Sequence, residues 1–244
     1  MKKYDLIILI ISSNNDIYNE MKTFSRIYMD LYKNKIKYFF IEFDPNLEND
    51  ITENSNTLYF KGTESIIPGI YQKTMKALEY INTHYEYDFV MRTNLSSFLH
   101  IENILLYLST KPKENFAGGF NCNNQFITGT GIFLSKDITY KLINSNNSTI
   151  ESINISDDVL ISRMITFCNI PIQYIGDEYF PINFTEHTLN PETPFDPYIK
   201  YPENIIYFRI KYQPNRKIDL LYFKLLLKKI YNIEYNIEIK EDFI

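Results

Sequence analysis

Three groups of residues in this chain could do chemistry. The first is Ser156-Asp157-Asp158-Val159, which holds the only adjacent pair of aspartates and leads into the apolar run Leu160-Ile161-Ser162-Arg163-Met164-Ile165. Carboxylates can accept protons from a reacting group. They also suit the first turn of a helix, where the dipole stabilises negative charge and Ser156 is a cap candidate. The second group is Arg209 and Lys211 in Ile205-Ile206-Tyr207-Phe208-Arg209-Ile210-Lys211-Tyr212. A strand's period of two puts both cations on one face, and Arg216 and Lys217 follow in the next loop. Such cations either hold phosphate oxygens through charge-assisted hydrogen bonds or form a solvated basic face before the last helix, Asp219 to about Tyr231. The third group is the polar run Arg92-Thr93-Asn94-Leu95-Ser96, which ends an apolar strand beginning at Tyr87.

Glycine adds a fourth signal. The chain has only seven glycines, yet Gly118, Gly119, Gly129 and Gly131 fall close together. Bunching of this kind marks either close backbone approach to a ligand or neighbouring strand, or a hairpin turn. A phosphate-cradling loop is not indicated, since neither G-x-x-x-x-G-K-[ST] nor G-x-G-x-x-G follows a strand.

The elements that must position these groups alternate between strand and helix signals, as in βαβ architectures. Residues 4–11 form a buried strand. Ser12-Ser13-Asn14-Asn15 offers N-caps to a helix with Ile17, Met21, Phe24 and Tyr28 at helical spacing. Residues 36–43 are a second strand, 44–56 a polar loop, and 57–60 a third strand. Pro68 opens a helix whose inner face carries Ile70, Thr74, Ala77, Leu78 and Ile81. A helix from His100 to Lys111, a strand or turn at 116–120, a segment at 126–135 and a strand from Ile170 to Ile175 complete the pattern. The Thr185–Pro202 stretch reads as a long loop of the kind that forms lids. Asp177-Glu178 either lines a site or ends a strand, and Asp88 reads as a buried, hydrogen-bonded carboxylate.

Composition bounds the function classes. The 244 residues suffice for one substantial α/β domain, 1–244. Aromatic residues make up 16% with no Trp; with many Ile, Asn and Lys this reads as AT-rich codon usage, so the Asn clusters carry little weight. A net charge of −5 leaves no basic surplus for nucleic acid. Cys122 and Cys168 match neither a disulfide framework nor a zinc site, and His84, His100 and His187 lack metal-site spacing. The apolar run after Met1-Lys2-Lys3 is short, is interrupted by Asp5 and has no cleavage site, so it reads as a first strand and not as a signal peptide. No segment reaches the length of a membrane span. Sequons at Asn146-Asn147-Ser148 and Asn183-Phe184-Thr185 are expected by chance in so Asn-rich a chain.

Several of these segments together resemble glycosyltransferase family 31, the β-1,3-galactosyltransferase and fringe group. Tyr87-Asp88-Phe89-Val90-Met91-Arg92-Thr93-Asn94-Leu95-Ser96-Ser97-Phe98-Leu99 is similar to the family strand "YDFVLKTDDDVFV". Residues 69–81 resemble "NLTLKTLMGLRWV", with Lys73, Thr74 and Leu78 coinciding. Residues 126–135 resemble "Y-x-x-G-x-G-Y-V-L-S", and Asp157-Asp158-Val159 resembles "EDV". The resemblance covers about residues 57–165.

It implies a single-domain, GT-A-like (Rossmann-like) α/β fold with a mostly parallel central sheet flanked by helices. A donor-nucleotide half would lie at about 1–120 and an acceptor and catalytic half at about 121–244. The implied activity is inverting transfer of a sugar from a nucleoside-diphosphate donor, commonly UDP-linked, to a glycan hydroxyl. Asp158 would be the base, with Asp157 in reserve. Donor contacts would come from Arg92, Thr93, Asn94, Ser96 and Lys73 and acceptor contacts from Gly129, Thr130 and Gly131; Arg209 and Lys211, beyond the span of the resemblance, would join the donor contacts as two cations on one strand face. Where the family has an acidic triplet that holds a divalent cation such as manganese, this chain has Asn94-Leu95-Ser96, and hard cations prefer charged oxygens. No metal is therefore expected, and Arg209, with Lys211 or Arg92, would offset the diphosphate charge. A soluble, cytoplasmic viral or bacterial protein acting on its own glycans is expected, with oligomeric state open. Two other classes remain: a degenerate GT-A-fold binding module, and a metal-dependent nucleotidyltransferase using Asp157-Asp158.

Overall fold

The structure, a computed structural model, describes residues 2–123, 125–145, 154–176, 179–185, 203–212 and 215–235. The chain builds β1 (Lys3–Ile11), α1 (Asp16–Met29), β2 (Ile36–Asp44), β3 (Ile51–Asn54), β4 (Thr57–Lys61), α2 (Gly69–His84), β5 (Glu86–Asn94), β6 (Ser97–Leu99) and α3 (Ile101–Ser109). Then come β7 (Ala117–Cys122), β8 (Phe126–Ser135), α4 (Lys136–Ser145), α5 (Asp157–Phe167), β9 (Ile172–Tyr174), β10 (Phe180–Thr185), β11 (Ile205–Lys211) and α6 (Lys217–Tyr231).

Among the described residues, eight strands form a central sheet in the order β3-β4-β2-β1-β5-β8-β7-β9. Parallel pairings outnumber antiparallel ones four to three, with the parallel block β4-β2-β1-β5 at its centre. Central parallel strands are covered on both faces and should read as continuous apolar runs; β1 does so. Its Leu6, Ile8 and Ile10 enter a core shared with α1, α3 and α6, while Ile7, Leu9 and Ile11 enter a core shared with α2, α4 and α5. The fold is thus a mixed α/β arrangement with a large central sheet flanked by helices.

Helix starts follow local chemistry. Asn15 caps α1 by accepting from the Tyr18 amide at 2.9 Å, and Pro68 precedes the first residue of α2. Ser156 holds the N-cap position of α5 with extended backbone, but its side chain makes no capping bond, contrary to the expectation above. The acids Asp157 and Asp158 occupy that first turn instead, where the dipole favours them.

Two further readings are corrected. The polar 44–56 loop contains β3, which pairs antiparallel with β4 across a tight turn at Ser55, φ 54°. Gly129 and Gly131 do not form a hairpin turn: both lie inside β8, and the turn between β7 and β8 falls at Asn123, φ 51°. A second sheet, β10-β11-β6, was not foreseen. Of the 185–202 loop only Thr185 is described; Asp177-Glu178, His187 and the Asn146-Asn147-Ser148 sequon lie outside the described residues.

Candidate active site

The site grows from the point where β5 leaves the central sheet. After Asn94 the chain turns at Leu95-Ser96 and re-enters as β6, which pairs antiparallel with β11. In that register Arg209 lies opposite Ser97, and its Nη1 donates to Ser96 Oγ. The small sheet thereby carries a guanidinium from the far C-terminal part of the chain to the carboxyl end of β5. Open α/β sheets bind ligands where the strand order reverses, and here β1 has β2 on one side and β5 on the other.

A cleft of about 620 Å³ opens there, a volume suited to a small-molecule ligand. The carboxyl end of β1, the Asn94–Ser96 turn, β8, the N-terminus of α5 and β11 all contribute to it. Ten of the residues singled out in the sequence line it: Lys73, Arg92, Asn94, Ser96, Gly129, Thr130, Asp157, Asp158, Arg209 and Lys211. Thr93 and Gly131 do not. Thr93 is buried and donates from Oγ1 to the Thr130 carbonyl at 2.6 Å. At Gly131 a Cβ would stand 3.2 Å from Tyr207 Cε1, so the glycine lets that ring pack against β8.

The two aspartates have different surroundings. Asp157 is buried and paired with Arg92. Burial pushes its carboxyl up, and the Arg92 charge pulls it back. Asp158 is half-buried at the cleft: Oδ2 accepts from the Gly129 amide at 3.1 Å and Oδ1 from the Val159 amide at 2.9 Å. Each oxygen keeps a lone pair, so the carboxylate is oriented and still able to take a proton.

The cations also differ. Lys73, 1% exposed, gives its Nζ to the Ser12 carbonyl at 2.6 Å and to both oxygens of Glu64 at 2.9 and 2.8 Å. It braces the cleft wall, and burial pulls its ammonium below the usual lysine range. Arg92 is committed to Asp157, the Gly129 carbonyl and Asn94 Oδ1. Among the described residues, Arg209 has no carboxylate partner. Asp219, which feels its charge, is paired with Arg216 and accepts from the Tyr212 amide at 2.8 Å. Burial lowers the Arg209 guanidinium to about 10, so it stays charged at neutral pH. Lys211, half-buried, lines the cleft two residues further along β11.

The turn does not fit a divalent cation. Asn94 Oδ1 and Ser96 Oγ both accept from guanidinium groups, Leu95 is apolar and buried, and no carboxylate stands in the triplet. Among the described residues no three His, Cys, Asp or Glu side chains cluster as a metal site.

Sequence reasoning missed Ser12, Ser13, Tyr18, Glu64, Ile66 and Thr128 in the cleft. Ser12 and Ser13 could have been found from their place just after a buried parallel strand, where such sheets bind ligands. Glu64 and Ile66 sit in a loop with no motif. A cavity of about 680 Å³ at the opposite end of β5 holds Asp88, which is paired with Lys3 at 2.5 Å and Lys113 at 2.6 Å and is remote from these motifs. No helix among the described residues is long and apolar enough to cross a membrane.

No family model and no curated protein matches the chain. Solved structures similar to it include two glycosyltransferases. A glycosyltransferase involved in the glycosylation of the major capsid of PBCV-1 is 9% identical, with 90% of this chain and 99% of that chain covered and a TM-score of 0.47. The glycosyltransferase GlyE of Streptococcus pneumoniae TIGR4 is 10% identical, with 72% of this chain covered and a TM-score of 0.43; this chain spans 46% of its length.

Proposed function

We propose that the protein is an inverting glycosyltransferase that moves a sugar from a nucleoside-diphosphate donor, UDP-linked, to a glycan hydroxyl. One observation carries this. An oriented carboxylate, Asp158, and a guanidinium with no carboxylate partner among the described residues, Arg209, line the same cleft at the carboxyl ends of β1 and β5. The motif resemblance across residues 57–165 supports the same chemistry.

In the reaction the acceptor oxygen forms its bond to C1 of the sugar as the bond from C1 to the phosphate oxygen breaks. The electron pair leaves with the nucleoside diphosphate, and the hydroxyl proton passes to Asp158. A sugar hydroxyl is a poor nucleophile, so a carboxylate positioned to take its proton lowers the barrier. Charge that builds on the leaving diphosphate is met by Arg209, with Lys211 beside it, through charge-assisted hydrogen bonds. The donor set at Asn94-Leu95-Ser96 supports metal-independent transfer. Donor contacts come mainly from the first half of the chain, joined by β11, and acceptor contacts from β8 and α5.

The test is release of nucleoside diphosphate from a panel of UDP- and GDP-sugars, assayed in EDTA with glycan acceptors. Wild-type protein should turn over one UDP-sugar, and Asp158→Asn should reduce turnover by about 100-fold or more. Equal activity of Asp158→Asn and wild type would remove Asp158 as the base. Absence of turnover with every donor would favour a degenerate binding module.

A further inference from the structure

Arg92 resembles a donor-binding residue by its place in the sequence, yet only 3% of it is exposed and its bonds point elsewhere. Nη1 donates to the Gly129 carbonyl and, at 3.2 Å, to Asn94 Oδ1, while Nη2 pairs with Asp157 Oδ2. Nε is buried and has no hydrogen-bond partner among the described residues. One guanidinium therefore ties β5 to both β8 and the first turn of α5.

The tie falls beside the end of one ladder and a register shift in the next. The β5–β8 ladder runs from Phe89–Ser135 to Arg92–Ile132 and stops there. On the other side the β7–β8 register shifts between Gly119 and Asn121. Residues 129 and 130 of β8 are instead fastened to β5 by side chains, Arg92 on the Gly129 carbonyl and Thr93 on the Thr130 carbonyl. The Gly129 amide is the group that orients Asp158 Oδ2. A Cβ at Gly129 would stand 2.6 Å from Arg92 Nη1 and 3.3 Å from Asp158 Cβ, which accounts for a glycine here in so glycine-poor a chain.

We infer that Arg92 is a positioning residue: by clamping the Gly129 peptide and Asp157 it fixes the Asp158 carboxylate against the acceptor, and it does not hold the donor. This role presupposes the glycosyl transfer proposed above. It separates two functions that the resemblance merges in the Arg92-Thr93-Asn94-Leu95-Ser96 run, with donor charge assigned to Arg209 and base alignment to Arg92.

The test uses UDP as the binding probe, in EDTA, and UDP release from the preferred UDP-sugar as the kinetic readout. Arg92→Met alone leaves Asp157 buried and uncompensated, so the informative variant is Arg92→Met with Asp157→Leu, which removes both charges at similar volume. This variant should bind UDP within about threefold of wild type and keep its donor KM, while kcat falls on the order of 100-fold, the effect expected of a misplaced catalytic group. Gly129→Ala, which displaces the same clamp without touching either charge, should show the same split and decides the matter if the double variant does not fold. UDP affinity lost in step with an Arg209→Met control, or kcat unchanged in both variants, overturns the inference. If wild-type protein itself binds no UDP, the glycosyl-transfer proposal fails first and the inference falls with it.

Discussion

At the residue scale the basic groups around the site differ in whether a carboxylate of the described residues balances them. Lys73 is matched by Glu64, Arg92 by Asp157 and Arg216 by Asp219, whereas Arg209 is matched by no carboxylate of the described residues. A half-buried cation that lines a cleft without a carboxylate beside it is a natural partner for a ligand's anion. Hydrogen bonds to charged groups contribute about 1.5–3 kcal/mol, so Arg209→Met should weaken UDP binding by roughly 10-fold to 150-fold in a calorimetric titration. Lysine should rescue only part of this, because it lacks the guanidinium's forked donors. An Arg209→Met protein that binds UDP as tightly as wild type would remove Arg209 from the donor site. The aspartate pair was legible in the sequence, with Asp158 as the expected base and Asp157 in reserve, but the pairing of Asp157 with Arg92 was not. Arg92 and Asp157 are 65 residues apart, and nothing local marks which aspartate the arginine takes.

At the element scale most strands and helices follow from periodicity, and the exceptions have physical reasons. The β3 strand is short, polar and at the sheet edge, so no apolar alternation announces it. The three-residue β6 looks like the tail of β5 until its pairing with β11 is seen. A testable consequence lies in α3, whose N-cap is His100: its Nδ1 accepts from the Asn103 amide at 3.4 Å. That bond needs an unprotonated Nδ1. Burial holds the His100 pKa below its usual 6.5, against the opposing pull of Glu102. The unfolded chain therefore takes up the proton first as pH falls. Stability from this residue is present above about pH 6.5 and is lost below it, toward the lowered native value. His100→Asn, which keeps a capping acceptor without a titrating group, should flatten the slope of urea-unfolding stability between pH 7 and 5. An unchanged slope would show that His100 does not contribute it.

At the scale of the whole molecule, one of the two cores on either side of the central sheet also binds in the small sheet that brings Arg209 to the cleft. Phe98 in β6 is fully buried, with ring centroids 4.6 Å from Tyr28, 5.4 Å from Phe223 and 5.9 Å from Tyr231, so it joins α1, α6 and the small sheet. Phe98→Ala should cost about 3–5 kcal/mol in chemical denaturation. A loss below about 1 kcal/mol would mean that this core does not anchor β6. The βαβ order and the mixed α/β class were readable from the alternation of elements. The second sheet was not, because it depends on β6 pairing with a strand more than a hundred residues later. The motif resemblance stopped near residue 165, so Arg209 came from a region with no sequence precedent, visible there only as one of two basic residues on one face of a strand.

The central claim is that fixed side chains, led by Arg209, hold a nucleoside diphosphate in this cleft without a metal. Its most direct test is calorimetric titration of UDP into wild-type protein, first in EDTA and then with manganese. Saturable micromolar binding in EDTA, little changed by manganese and weakened about 10-fold or more in Arg209→Met, is the predicted result. Binding that appears only when manganese is added, or no binding in either condition, would contradict it.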